Sequence, residues 1–344
     1  MRSTIRVLVL ALGVVAVVAS ASAETSAARV GMVALPRPVA ALTSGSEQVV
    51  AATFTQRGFV RLNSYEWDGR SRGRVPYRAG CSDGVDTDSG FSRVRLSPIS
   101  AGVFATIVSP PSGSSNFGHG SFSLEGRAQR RLSCGPYADS SARVSVALGA
   151  GLVLSAGGAS RTPEGAIETV IRDALTQTPR LSVQGSYDLF GVTRTRVFLH
   201  DTPGVAAVDW SGTLVWKTDW NELSIPGVGV GPSANDGSML ALGDKAGIRV
   251  FRMQDGAPTV TWANVHWSCA CLAVFRGFVA WIADQHVYVR SLRGDRPVIF
   301  ATLPRGLRGI AIVAGPGGLV WAANSVHHGN LWFADWSDVR LALG

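Results

Sequence analysis

A short unit of apolar runs and tight turns recurs along this chain and constrains its fold more than any other feature. The best-preserved copy is Arg196–Thr218, RVFLHDTPGVAAVDWSGTLVWKT. Its three apolar runs are separated by Asp-Thr-Pro-Gly at 201–204 and by Ser211-Gly212, which are turn-forming sequences. The unit therefore predicts three short strands joined by hairpins.

Comparable units follow one another through the chain, and seven can be traced, each with four candidate strands. Their length is roughly 40–50 residues. Runs such as FVAWIA at 278–283 and LVWAA at 319–323 are continuously apolar, which is typical of strands buried on both faces. The pattern predicts an all-β protein with the β-propeller architecture. We expect seven four-stranded blades, although six or eight also fit the irregular spacing of the first three units.

Two strands of this pattern need separate mention. Between 161 and 176, Thr162 could cap a helix with Pro163 at its first position. The repeat register instead places a strand after Gly165, and we expect the strand. In the last unit we expect Val339–Leu343 to be the fourth strand.

The N-terminus has the features of a cleaved export signal. Arg2 and Arg6 precede an apolar stretch over Val7–Val18, and Ala21-Ser22-Ala23 matches a cleavage site. The stretch is shorter than the about 20 residues that span a bilayer, and no later stretch is long and apolar enough to do so. We expect a signal peptide over 1–23 and a single propeller domain over 24–344. The mature protein would then be extracytoplasmic: secreted, periplasmic or associated with the cell envelope.

The chain is basic, with a formal net charge of +8. Nearly all of its basic residues are Arg, which together with abundant Ala, Gly and Val indicates a GC-rich bacterial genome. A positive surface suits contact with acidic envelope polymers or lipid headgroups, although it also fits an ordinary solvated surface. The densest basic run, Arg127–Arg131, has no interleaved aromatic residues for stacking on bases. We therefore predict no nucleic-acid partner.

The four cysteines are an even number, which in an exported chain favours disulfides, with three pairings open. Cys81 and Cys134 come at the ends of the fourth strands of neighbouring units. There their Cα atoms could approach to the about 5.5 Å that a disulfide needs. We expect a structural disulfide between these two. Cys269 and Cys271 either bond to each other or remain buried thiols.

Residues 196–218 resemble the repeat of quinoprotein-like (PQQ-type) propellers. In that family an Ala-x-Asp strand is followed by a Ser/Thr-Gly turn and a closing Trp, and here Ala207, Asp209, Ser211-Gly212 and Trp216 stand in those places. The resemblance implies that Asp209, Trp210 and Trp216 dock neighbouring blades together. The strand pattern is also similar to that of WD40-type repeats, without their recurring Gly-His and Trp-Asp pairs.

The resemblance does not extend to the quinone cofactor. Quinoprotein dehydrogenases of this family hold PQQ with a pair of adjacent cysteines and with metal-binding acids. Here Ala270 separates Cys269 from Cys271. No cofactor is therefore predicted.

No motif in the sequence points to a particular reaction. The chain has no G-x-S-x-G, no H-E-x-x-H and no phosphate-binding loop. Asp83, Asp86 and Asp88 are spaced like Ca²⁺ ligands, but Gly90 stands at the next ligand position. The adjacent pair His327-His328 better fits a turn than a metal site. We predict no catalytic residues and no metal site, and the binding residues stay undefined.

Together these features predict an exported, non-catalytic propeller that binds a protein partner or an envelope polymer. The alternative is a propeller enzyme, such as a lyase, a glycosidase or a quinoprotein-like oxidoreductase. Its site would lie at a channel mouth, where acidic, His and Arg side chains from several blades would converge with perturbed pKa values.

Overall fold

The computed structural model describes residues 30–54, 60–77, 93–99, 102–108, 116–122, 128–136, 145–149, 152–156, 160–173, 178–201, 204–219, 233–244, 247–263, 265, 267, 269, 271–294 and 296–344. Every regular element in these ranges is a β-strand except one helix at the C-terminus. The all-β prediction is therefore confirmed.

The strands are numbered here in chain order. The earlier ones are β1 Gly31–Leu35, β2 Val39–Ser44, β3 Val49–Phe54, β4 Val60–Tyr65, β5 Ser71–Tyr77, β6 Arg93–Ile99, β7 Gly102–Val108, β8 Asn116–Phe122, β9 Ala128–Pro136, β10 Ser145–Gly149, β11 Leu152–Ala156, β12 Ser160–Arg161, β13 Ile167–Asp173 and β14 Pro179–Gln184. The later ones are β15 Asp188–Val192, β16 Val197–Asp201, β17 Gly204–Val208, β18 Leu214–Asp219, β19 Ser233–Asn235, β20 Met239–Asp244, β21 Gly247–Arg252, β22 Pro258–Ala263, β23 Leu272–Phe275, β24 Phe278–Ala283, β25 His286–Ser291, β26 Val298–Thr302, β27 Arg308–Gly315, β28 Gly318–Asn324 and β29 Gly329–Ala334.

Within the described residues these strands form seven antiparallel sheets. Sheets 1, 2, 4, 5 and 6 each contain four consecutive strands, namely β2–β5, β6–β9, β15–β18, β19–β22 and β23–β26. Sheet 3 has five strands, β10–β14, because the short β12 pairs with β13 beside β11. Sheet 7 takes three strands from the end of the chain, β27–β29, and its fourth from the beginning, β1.

The sheets follow one another around a common axis. The first strand of sheet 1 contacts the first strands of sheets 2 and 7, and similar contacts join sheets 2 to 3, 3 to 4, 5 to 6 and 6 to 7. Sheets 4 and 5 share an apolar cluster that includes Phe198, Val205, Leu240 and Leu242. Radial sheets with their first strands innermost are the arrangement of a β-propeller.

Rows of large side chains cross the sheets from the first strand to the fourth and fill the space between neighbouring sheets. In sheet 7 the register aligns Ile312, Trp321, Trp332 and Met32. The rings of Trp321 and Trp332 stack with centroids 6.1 Å apart. Ile312 and Trp321 belong to the core cluster shared with sheet 6, so the row packs towards the preceding sheet.

Sheet 6 repeats this row one position earlier in the ring. Its members are Leu272, Trp281, Tyr288 and Ile299. Trp281 stacks on Tyr288 at 5.4 Å and on Trp262 of sheet 5 at 6.0 Å. Trp281 and Trp321, at equivalent positions of second strands, therefore both pack between neighbouring sheets, where aromatic rings bury a large area.

The chain ends meet in sheet 7. Strand β1 pairs antiparallel with β29 from Gly31↔Phe333 to Leu35↔Gly329, and the chain then enters sheet 1 at Val39. Leu35 lies in the core cluster shared by sheets 1 and 7. This pairing covers the outer edge of β29, which would otherwise expose unpaired backbone groups.

The prediction of a fourth strand at Val339–Leu343 is wrong. Residues Trp336–Leu343 form helix α1, capped by the Asp335 side chain, which accepts from the backbone N–H groups of Ser337 and Asp338. A strand would bury every second residue, but Leu341 is 60% exposed while Val339 is buried, as helical spacing requires. The described residues contain no helix that is long and apolar enough to cross a membrane.

The prediction of a strand after Gly165 is confirmed, because Ile167–Asp173 is β13. Thr162 N donates to Ala166 O at 2.8 Å and Gly165 N donates to Thr162 O at 2.9 Å, which closes a tight turn before the strand. Gly165 has φ +84°, a value that L residues rarely adopt and that interrupts a helix.

Replacing Leu35 by Ala should test how much the closing strand contributes to stability. Leu35 is 4% exposed, whereas Met32 in the same strand is 60% exposed. We expect Leu35→Ala to lower the free energy of unfolding by about 2–4 kcal/mol and Met32→Ala to change it by less than about 0.5 kcal/mol. Urea unfolding of the mature protein measures both, and equal losses would contradict the role of β1.

Candidate functional site

The turns of the sheets lie on two opposite faces. The lower face contains the turns between first and second strands and between third and fourth strands. The upper face contains the turns between second and third strands and the crossings from one sheet to the next. This division follows from the alternating direction of antiparallel strands.

Three tryptophans occupy equivalent places on the lower face. Trp67, Trp210 and Trp336 each follow an acidic residue at the end of a third strand. Each indole N–H donates to a backbone carbonyl in the first turn of its own sheet: Trp67 to Ser46 at 3.3 Å, Trp210 to Arg194 at 2.9 Å and Trp336 to Gly315 at 2.8 Å. Of these three tryptophans only Trp210 was a predicted site residue, although the acid–Trp dipeptide also marks Trp67 and Trp336.

Trp216 lies between sheets 4 and 5. Its indole N–H donates to the backbone carbonyl of Met253 in sheet 5 at 3.2 Å, and its ring lies 5.7 Å from that of Phe198 in its own sheet. A Cβ atom on Gly256 of sheet 5 would lie only 2.6 Å from the Trp216 ring. Gly256 also has φ +70°, so both space and backbone conformation require glycine there.

Asp209 makes hydrogen bonds within its own turn. Its Oδ1 accepts from the Ser211 hydroxyl at 2.5 Å and from the backbone N–H groups of Ser211 at 2.8 Å and Thr213 at 3.0 Å. The Ser211 hydroxyl, followed by the Thr213 N–H, lowers the pKa of this carboxyl below its usual value. These bonds order the turn; a docking role for Asp209 between blades stays a prediction.

The lower face of sheets 6 and 7 contains an aromatic cluster formed by Phe275, Phe278 and Trp336. The Trp336 ring stacks on Phe275 at 5.6 Å and on Phe278 at 5.2 Å. The Arg276 guanidinium carbon lies 5.2 Å from the centre of the Phe275 ring. All three rings are half-buried, so the cluster presents partly exposed aromatic surface next to an exposed cation.

The backbone holds Arg276 in an unusual conformation. Arg276 has φ +44° and Gly277 has φ +88°, which match the two-residue hairpin turn that normally prefers Asn or Gly at its first position. The Arg276 N–H donates to Asp236 Oδ2 of sheet 5 at 2.8 Å. A contact from the neighbouring sheet therefore helps to hold this strained turn in place.

Several histidines and acids of the upper face have partners that serve the local structure. His327 and His328 lie in the turn between β28 and β29, as predicted. There the backbone N–H groups of both residues donate to the Ser325 hydroxyl. Asp244 accepts from Gly247 N at 3.0 Å and pairs with Arg249 at 3.0 Å. His286 Nδ1 lies 3.0 Å from the Thr302 hydroxyl.

The acidic side chains with lowered pKa values lie apart from one another in the part of the chain that the structure describes. Among the described residues no three His, Cys, Asp or Glu side chains come together as a metal site. The carboxyls with lowered pKa values, Asp68, Asp209 and Asp335, belong to three different sheets. Hydrogen bonds within their own turns account for each shift, mainly from the Arg70 N–H, the Ser211 hydroxyl and the Ser337 hydroxyl respectively.

Two of the cysteines are close to each other. The Sγ atoms of Cys269 and Cys271 lie within bonding distance, their Cα atoms are 5.2 Å apart, and both residues are buried in the core cluster of sheets 6 and 7. Cys81 lies outside the described residues, as do Asp83, Asp86 and Asp88, and of Cys134 only the place in β9 is described. The Cys81–Cys134 pairing stays a prediction.

Known proteins resemble this chain in structure and not in sequence. No family model and no curated protein matches it. A chain in the crystal structure of the mitotic checkpoint complex superposes with a TM-score of 0.53 at 14% identity, over 97% of this chain and 100% of that one. BamB from Moraxella catarrhalis gives 0.45 at 14%, over 89% of each chain, and Hsv2 from Kluyvelomyces marxianus gives 0.49 at 10%, over 85% of this chain and 90% of that one. The likeness to the chain of the mitotic checkpoint complex, a WD40 propeller, supports the β-propeller fold and nothing beyond the fold.

A double-mutant cycle should test the contact between sheets 4 and 5. In the wild-type background, Gly256→Ala should lower the free energy of unfolding for two reasons, the backbone strain at positive φ and the clash with Trp216. In a Trp216→Ala background only the strain remains, so Gly256→Ala should cost less by about 0.5–3 kcal/mol. Urea unfolding of the four proteins gives this coupling, and a coupling near zero would show that Trp216 does not pack there.

The Asp335 cap should make stability depend on pH. The Ser337 hydroxyl, then the Asp338 N–H, lowers the pKa of the folded Asp335 carboxyl. Its stabilisation is therefore present above the unfolded pKa of about 3.9 and is lost as the pH falls through the folded pKa. Wild type should exceed Asp335→Asn in free energy of unfolding by more at about pH 7 than at about pH 3. A difference that does not change between these pH values would contradict the charged cap.

Proposed function

We propose that this protein is exported and acts as a rigid scaffold that binds another protein through the lower face of sheets 6 and 7. The main support is the aromatic cluster of Phe275, Phe278 and Trp336 with Arg276 over one of its rings. Aromatic residues and arginine dominate the binding energy of protein interfaces, since they combine large contact area with directional hydrogen bonds.

Preorganisation strengthens this assignment. The rings stack on one another, the Arg276 turn is tied to Asp236 of the neighbouring sheet, and Trp336 is tied to Gly315. Binding would therefore order few side chains, which reduces the entropic cost of association. The chain similar to this one in the mitotic checkpoint complex also belongs to an assembly, which fits the use of a propeller as an interaction scaffold.

Export is the second part of the proposal. Its support is the segment 1–23, with its basic start, its apolar stretch and the Ala21-Ser22-Ala23 cleavage pattern. The partner would then be a protein of the cell envelope or its surroundings. An acidic envelope polymer is a less favoured ligand, because the half-buried rings suit an apolar side chain better than a highly charged chain.

Site-specific photocrosslinking in the producing organism tests the proposal. A photoreactive amino acid replaces Leu341, which is exposed on α1, the helix that contributes Trp336 to the aromatic cluster. In a control it replaces Val326, which is 85% exposed on the upper face. We expect one discrete protein adduct at position 341 that untagged protein competes away, and none at 326. The purified protein should begin at Glu24.

Two outcomes would contradict the proposal. Absence of a protein adduct at 341, or the same adducts at both positions, would rule out a specific partner at this face. A mature protein that keeps residues 1–23 and fractionates with the cytoplasm would rule out export.

A further inference from the structure

Four exposed arginines lie in the turns and helix that form or adjoin the aromatic cluster, and they are called here the basic rim: Arg276, Arg293, Arg296 and Arg340. The turns of Arg276 and Arg293 are joined directly, because Leu292 N donates to Gly277 O at 2.8 Å. Arg296 follows in the second of these turns. Arg340 stands one helical turn after Trp336 on α1, and residues four apart lie on the same side of a helix.

Two acids near the aromatic cluster, Asp236 and Asp335, are engaged by backbone groups. Asp236 Oδ1 accepts from Ser238 N at 2.9 Å and from Met239 N at 2.8 Å, while Oδ2 accepts from Arg276 N. Asp335 caps α1 in the same way. Among the described residues no carboxylate forms an ion pair with any arginine of the basic rim, whereas Arg249 and Arg252 elsewhere have such partners.

The geometry of Arg276 favours a carboxylate ligand. Its guanidinium group lies over the Phe275 ring, and a cation–π contact of this kind uses the face of the group, whereas a carboxylate binds its N–H groups. A guanidinium fork matches the two oxygens of Asp or Glu. The aromatic rings immediately beside it offer a site for an apolar side chain.

We propose that the basic rim binds an acidic peptide segment in which Asp or Glu residues flank an apolar side chain. This inference rests on the proposed function and names the chemistry of its partner. A peptide is favoured over an anionic membrane because the three rings are stacked and half-buried. They can receive an apolar side chain, whereas a bilayer is entered by side chains that protrude.

Direct binding of a synthetic probe tests this inference. The probe is a fluorescein-labelled peptide that alternates paired glutamates with single leucines, and its control has glutamine in place of every glutamate. We expect fluorescence anisotropy to show binding of the glutamate peptide that weakens between low salt and roughly 0.3 M salt, and no binding of the glutamine peptide.

Matched variants locate the binding site. Arg276→Gln with Arg293→Gln should raise the Kd about tenfold or more, which corresponds to the loss of two charge-assisted contacts. Arg305→Gln with Arg308→Gln removes the same charge from two exposed arginines at the upper side and should change the Kd less than about twofold. Circular dichroism melting of both pairs establishes that they fold.

Several outcomes would overturn the inference. They are binding of the glutamine peptide as tight as that of the glutamate peptide, equal losses of affinity in the two double variants, or no binding of either peptide. A fourth is that the protein binds vesicles of phosphatidylglycerol, added as a further probe, and not the glutamate peptide. Crosslinking at Leu341 separates this from the proposed function. If the adduct persists in the Arg276→Gln/Arg293→Gln variant, the proposed protein-binding function stands, but the proposed acidic partner segment is refuted. Peptide binding without any cellular adduct would refute the scaffold.

Discussion

Burial of each sheet between its two neighbours is the interaction on which the rest of this structure depends. A four-stranded sheet with apolar residues on both faces cannot stand alone in water, so the sheets must pack in a ring. Rows such as Ile312–Trp321–Trp332 fill the space between two sheets from the axis outwards. Strand β1 joins the two ends of the chain, because it pairs with β29 of the last sheet before the chain enters the first.

Turns of the lower face are held in place by hydrogen bonds within the ring of sheets. Acid–Trp dipeptides tie the two turns of one sheet together through the indole N–H, as in Trp210 and Trp336. Asp209 and Asp335 order the same turns through backbone hydrogen bonds. Their carboxylates are thereby engaged in structure, whereas Arg276, Arg293 and Arg340 are exposed at the lower face of sheets 6 and 7.

The aromatic cluster is the feature that distinguishes the lower face of sheets 6 and 7. The aromatic cluster depends on α1, whose first residue stacks on two rings of sheet 6. Helix α1 stands at the place where the other sheets have a turn leading to their fourth strand. Because β1 supplies that strand in sheet 7, the C-terminal residues are available to cover sheet 6 and to complete the surface proposed for the partner.

The sequence by itself determined the all-β class, the repeated unit and the positions of most strands, because alternation of turns and apolar runs depends on neighbouring residues. It also indicated the strand after Gly165, which helical spacing alone would have missed. The tertiary structure decided that Val339–Leu343 is helical and that Gly31–Leu35 completes sheet 7. The stacking of Phe275 on Trp336 and the contact between the turns of Arg276 and Arg293 were equally invisible, since packing between distant segments sets them and no local pattern encodes them.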